Sequence, residues 1–149
     1  MQSNPYAESV LALRKVFEVL PEGVSLSKGG VGELALGYHL GHTLVRGDKG
    51  ADAMDSDGKL YEYKVSESDN YNFHFGARKP EVEEIVFKHF DKIEGAYCAS
   101  RRGMDIVDII YVPSEVLVPH LIEELTRLKG GQLIKTYSMK GLKHLVNSN

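Results

Sequence analysis

The chain has 149 residues, 42% hydrophobic and 26% charged, a balance that excludes wholesale disorder and suffices for one substantial core. Its formal net charge of −3 excludes nucleic-acid binding by bulk positive charge alone, though an enzyme confining its basic residues to one cleft fits it. Cys98 is the only cysteine, which excludes an internal disulfide, and no run of roughly 18 apolar residues or basic-then-apolar leader is present, so the expectation is a reducing cytoplasm and no membrane contact.

No internal repeat or low-complexity tract interrupts the chain, so residues 1–149 read as a single domain. Asn4 is placed to cap a helix with Pro5 at its first position; Val10, Leu13, Phe17 and Leu20 follow helical spacing until Pro21-Glu22-Gly23. A second helix is expected over residues 31–40, where Gly32, Gly37 and Gly41 weaken the helix and imply close backbone packing. Two strand-like runs, residues 50–55 and 59–65, flank Ser56-Asp57-Gly58. Residues 66–79 mix polar and aromatic side chains too irregularly for an assignment.

Pro80 opens a further helix with Glu81, Glu83 and Glu84 in its first turn and an apolar face of Val82, Ile85, Val86 and Phe90, with Ile93 beyond. Residues 95–100 and 104–112 read as strands separated by a turn at Arg101-Arg102-Gly103. Ser114 caps a short turn, Pro119 restarts a helix to Leu128, and Gly130-Gly131 end it. Residues 133–137 form a last strand, and the tail from Lys140 carries no assignment. The expected fold class is α/β or α+β, a central mixed sheet flanked by helices.

The segment richest in chemistry is residues 50–64. A three-residue hairpin loop places glycine last, in the left-handed conformation, and Ser56-Asp57-Gly58 fits that rule. Asp55 then pairs with Lys59 and Asp52 lies opposite Glu62, with β-carbons about 5 Å apart on one face. Lys64 shares that face and Tyr61, Tyr63 and Val65 point away. Opposed carboxylates repel unless a hard divalent cation sits between them, and Mg²⁺ keeps the water and phosphate ligands that phosphate-ester chemistry needs. From spacing alone, a solvated strand carrying Glu and Lys for solubility accounts for the same residues equally well. A calcium loop of the EF-hand type fails, because aligning Gly58 puts Ala53 first and Lys64 last, where acids are required.

The hairpin, with its Gly-x-Asp-Ala-x-Asp start, turn glycine and Tyr-Glu-x-Lys ending, resembles the active-site motif of the PD-(D/E)xK nucleases, the restriction-endonuclease-like superfamily. The family's proline is Ala51 here, and the detailed match covers roughly a tenth of the chain. The resemblance implies that Asp52 and Glu62 hold Mg²⁺ and that Lys64 is the catalytic lysine. Lys28-Gly29-Gly30-Val31-Gly32-Glu33 resembles the glycine-rich helix start of mismatch-repair nicking endonucleases, and many superfamily members use a helical Glu at the metal site, which implies such a role for Glu33. Together these imply a restriction-endonuclease-like core and a Mg²⁺-dependent type II restriction enzyme that cuts double-stranded DNA as a homodimer, with residues 10–20 the first segment to test as its interface. A structure-selective nuclease of the Holliday-junction-resolving kind and a non-catalytic DNA-binding module of the same fold are the rivals.

Candidate DNA contacts are Asn70, Asn72, His74, Arg78 and Lys79, since Asn and Arg make bidentate contacts to adenine and guanine edges, and Arg101 and Arg102, as a basic turn for phosphates. The alternatives are a connection whose Phe73 and Phe75 pack in the core, and a turn that is simply solvated. In the restriction enzyme whose hairpin this one resembles, the corresponding region carries histidines directed at DNA, where this chain has His74 alone between Phe73 and Phe75. His39 and His42 have no HExxH pattern or cysteine beside them and read as core or surface residues, and Cys98 as a buried hydrophobe. Neither a Gly-x-Ser-x-Gly elbow nor a phosphate-binding Gly-x-x-x-x-Gly-Lys-Ser/Thr loop is present.

Overall fold

The computed structural model describes residues 4–20, 29–45, 50–77 and 81–148. In chain order these form α1 (Pro5–Val19), α2 (Val31–Leu40), β1 (Thr43–Leu44), β2 (Ala53–Met54), β3 (Leu60–Ser66), β4 (Asn70–Ala77), α3 (Val82–Phe90), β5 (Ile93–Arg102), β6 (Asp105–Pro113), α4 (Ser114–Thr126), β7 (Gln132–Ser138) and α5 (Met139–Asn147). The architecture is mixed α and β. A five-stranded sheet runs in the order β1-β2-β3-β5-β6, and β4 pairs with β7 as a separate two-stranded ribbon. Within the main sheet β3 and β5 are parallel and the other neighbours antiparallel. Parallel neighbours need a crossover, and β4 and α3 supply it.

The sheet is covered on both faces. Ala96, Cys98 and Val112 belong to the larger core with Phe73, Val86, Phe90, Leu121 and Leu142 from α3, α4, α5 and the ribbon. The opposite face carries Tyr61, Tyr63 and Ala99, closed by Leu36 of α2 and Leu44. Gly32 is what lets α2 lie so close: a β-carbon there would stand 2.8 Å from Cβ of Val65. Glu33 follows it, so this contact fixes where α2 delivers its carboxylate.

Several expectations change. Residues 66–79 contain a true strand, β4, whose Tyr71 and Phe73 are buried while Asn72 and His74 are exposed. Arg101 and Arg102 are strand residues, paired with Ile106 and Asp105, and the turn is Gly103-Met104. Pro119 does not restart a helix. It lies inside a continuous α4, where burial of Leu117, Val118, Leu121 and Leu125 outweighs the one lost backbone hydrogen bond. The unassigned tail is α5, capped by the Ser138 hydroxyl and anchored by Met139 and Leu142. The first strand of the hairpin is shorter than expected, only Ala53–Met54. Asn4 caps α1 as expected, its Oδ1 accepting the Tyr6 N–H at 2.9 Å. Pro21-Glu22-Gly23, Lys28 and Pro80 lie outside the described residues.

Candidate active site

The hairpin forms in the expected register over the pairs Ala53 with Tyr61 and Met54 with Leu60, but the ladder begins at Ala53, so the expected pairing of Asp52 with Glu62 is not part of it. Gly58 has φ +81°, the left-handed residue the loop requires, and Asp55 and Lys59 close the turn with an N–H···O=C bond of 3.0 Å. The Asp55 carboxylate also accepts the Tyr61 hydroxyl at 2.7 Å, tying the loop to the strand. At the far end the Asp52 N–H donates to the Tyr61 carbonyl at 3.0 Å, and Oδ2 of Asp52 accepts the Tyr63 N–H at 2.8 Å. Asp52 is thereby held from both its backbone and its side chain.

Glu62 and Lys64 pair with Ala96 and Cys98 and face the larger core. Glu62 is only 6% exposed. Its Oε1 lies 3.2 Å from Nζ of Lys64, and its Oε2 lies 3.2 Å from Nε2 of His89 on α3. The Lys64 ammonium also stands 5.1 Å from the centre of the Phe73 ring.

Electrostatics bind these groups into one site. Burial, then the charges of Asp52 and Glu62, push the Glu33 carboxyl up to about 7. Burial, then the charge of Glu62, raises Asp52 to about 6, against the opposing hydrogen bond from the Tyr63 N–H. Burial would raise Glu62 as well, but the His89 hydrogen bond and the Lys64 ammonium hold it below the usual range. Environment thus separates three carboxyl groups into one that ionises readily and two that hold their protons well above the usual carboxylate range.

Among the described residues no group of three or more His, Cys, Asp or Glu side chains is arranged to enclose a metal ion. Asp52 and Glu62 are two hard oxygen donors, the number Mg²⁺ commonly takes from protein before water and phosphate complete its shell, so the donor chemistry fits that ion.

The other candidate residues are more dispersed. Asn70, Asn72 and His74 lie on the exposed face of the β4–β7 ribbon. There Asn72 accepts the Thr136 hydroxyl at 2.6 Å, and the His74 ring bonds Oε1 of Gln132 at 3.0 Å. Phe73 packs in the core, so the strand serves core and surface at once. Arg101 folds back onto Glu67 at 3.0 Å and the Gly103 carbonyl at 2.9 Å, while Arg102 is exposed. Arg78 and Lys79 lie outside the described residues. His42 stacks on Tyr61 and bonds the Tyr63 hydroxyl at 2.7 Å, His39 is exposed, and Cys98 is fully buried with its thiol pushed up to about 12 by burial.

Sequence reasoning missed His89. Its signal was present, because position 89 continues the apolar stripe of Val82 and Val86 at helical spacing, where an imidazole is out of place without a partner. Its side chain also lines a cavity of about 700 Å³ together with His74, Phe75 and Lys88. No helix of the described residues is long and apolar enough to cross a membrane. No protein-family model matches the chain, and no curated protein matches it in sequence.

Proposed function

We propose that the protein is a Mg²⁺-dependent endonuclease that hydrolyses phosphodiester bonds in double-stranded DNA, a type II restriction enzyme acting in the cytoplasm as a homodimer. The observation that carries this reading is the clustering of Asp52, Glu62 and Lys64 at the hairpin, where Glu62 pairs with Lys64, both charges act on Asp52, and Glu33 feels the charges of both acids. Asp52 and Glu62 would supply the oxygens that hold the cation. When bound, Mg²⁺ polarises a phosphoryl oxygen and makes its water more acidic. The Lys64 ammonium, anchored on Glu62 and the Phe73 ring, is positioned to orient the attacking water and to neutralise charge on the pentavalent phosphorus. Glu33, whose carboxyl feels the charges of both acids, is the candidate to accept a proton from that water. The exposed face of the β4–β7 ribbon offers Asn70, Asn72 and His74 as the proposed contacts to base edges. Arg102 and, outside the described residues, Arg78 and Lys79 complete the proposed DNA contacts; Arg101 joins them only by leaving Glu67.

The test is purified protein with plasmid DNA and Mg²⁺, followed by sequencing of the ends. Defined fragments are expected. Asp52→Ala, Glu62→Ala and Lys64→Ala should each lower the rate at least about a hundredfold with DNA binding largely kept. Cleavage confined to branched DNA would assign the site to a structure-selective nuclease instead. Equal, negligible cleavage by the wild type and Asp52→Ala would leave only a binding module.

A further inference from the structure

We propose that His89 is a positioning residue of this site, setting the orientation in which Glu62 presents its carboxylate to the cation. A carboxylate anchored at one oxygen still rotates about its last bond, and one anchored at both does not. Lys64 holds Oε1 from Glu62's own strand, whereas His89 holds Oε2 from α3, a separate element. The imidazole is itself fixed: its ring packs edge-on against Phe75 at 5.3 Å and Phe90 at 4.9 Å. Phe90 shares the buried stripe of α3 with Val82 and Val86, so the larger core sets the position of the His89 ring and, through it, the plane of Glu62. The donor is Nε2–H, which the imidazole carries as one neutral tautomer and also when protonated. This inference rests on the metal-dependent reading, and groups that orient metal-ligating carboxylates in this way commonly account for about 10–100-fold in metal affinity or activity.

The experiment compares the full chain with His89→Phe, which keeps a ring against Phe75 and Phe90 but has no donor, and His89→Gln, which keeps an N–H. Calorimetric titration with Mg²⁺ alone should show roughly tenfold or more weaker binding in His89→Phe and substantial recovery in His89→Gln. With plasmid DNA, kcat should fall in His89→Phe while KM stays near the wild-type value. Wild-type Mg²⁺ affinity in a folded His89→Phe overturns the proposal, as does an equal loss in both variants at unchanged melting temperature. If His89→Phe does not fold, the His89→Gln titration and the nitrogen NMR spectrum of the wild-type imidazoles decide: a proton on Nε2 supports the contact, and the Nδ1–H tautomer overturns it. A wild type that binds no Mg²⁺ refutes the nuclease reading itself, and the tautomer then tests the His89–Glu62 contact separately.

Discussion

Lys64 and His89 both attach to Glu62, so that carboxylate ionises readily while Asp52 and Glu33 beside it resist ionising, at about 6 and about 7. The folded protein therefore holds these two protons more tightly than the unfolded chain does, and its stability falls as pH rises from about 4 through about 7. Glu62 has the opposite sign, and its contribution is lost only as pH falls through the acid range. In a chelator, Asp52→Asn should accordingly raise the melting temperature near pH 8 by a few degrees, because Asn cannot carry the repelled charge and its Oδ1 still accepts the Tyr63 N–H. Below about pH 4, where the unfolded carboxyl is protonated as well, the gain should shrink toward zero. Thermal melts of both proteins at the two pH values check this, and a lower melting temperature for Asp52→Asn at the higher pH would contradict it. The same substitution should abolish cleavage, the usual exchange of stability for function at a charged site.

At the scale of elements, the close seating of α2 on β3 determines whether Glu33 reaches the hairpin. In Gly32→Ala the new β-carbon would meet Cβ and Cγ1 of Val65 at 2.8 and 2.9 Å, and the Cβ, fixed to the strand backbone, cannot swing aside. The helix must lift, at a cost of about 1–3 kcal/mol, and Glu33 moves with it. Gly37→Ala is the internal control. Its β-carbon would meet the flexible end of Leu44 at 3.1 Å, and the better helix propensity of Ala offsets much of that contact. Melting temperature and kcat should both fall in Gly32→Ala and change little in Gly37→Ala.

The elements also explain what could be read from the residues alone. The hairpin was legible because loop chemistry is local: Ser56-Asp57-Gly58 sets the register, and the register sets which side chains share a face. The strand β4 was not, because its partner β7 lies some sixty residues away, and the bond from Thr136 to Asn72 has no local signature. Arg101 read as part of a free basic turn, since nothing nearby in sequence announces the bulge that extends β5 through Arg102. His89 reaches Glu62 across 27 positions, so only its place in an apolar stripe pointed to it.

For the whole molecule, the proposed double-strand cut would need two copies of the chain, because one active site cuts one strand. The surface proposed to pair them is α1, which buries none of its residues in the described structure. Tyr6, Val10, Leu13 and Phe17 are 83%, 49%, 50% and 62% exposed and fall on one stripe at alternating spacings of four and three. That stripe is symmetric about its midpoint, so an antiparallel second copy sets Tyr6 against Phe17 and Val10 against Leu13, the self-complementarity a two-fold interface requires. The paired stripe is only about 18 Å long, so one buried charge on each helix should separate the copies. Leu13→Glu is expected to sediment as a monomer with its melting profile otherwise preserved, since Leu13 supports no core of its own. The substitution lies away from the candidate site, so plasmid DNA should be nicked where the wild type is expected to linearise it. A monomeric Leu13→Glu that still linearises plasmid in one binding event would detach the double-strand cut from α1, and a Leu13→Glu that remains dimeric would move the interface elsewhere.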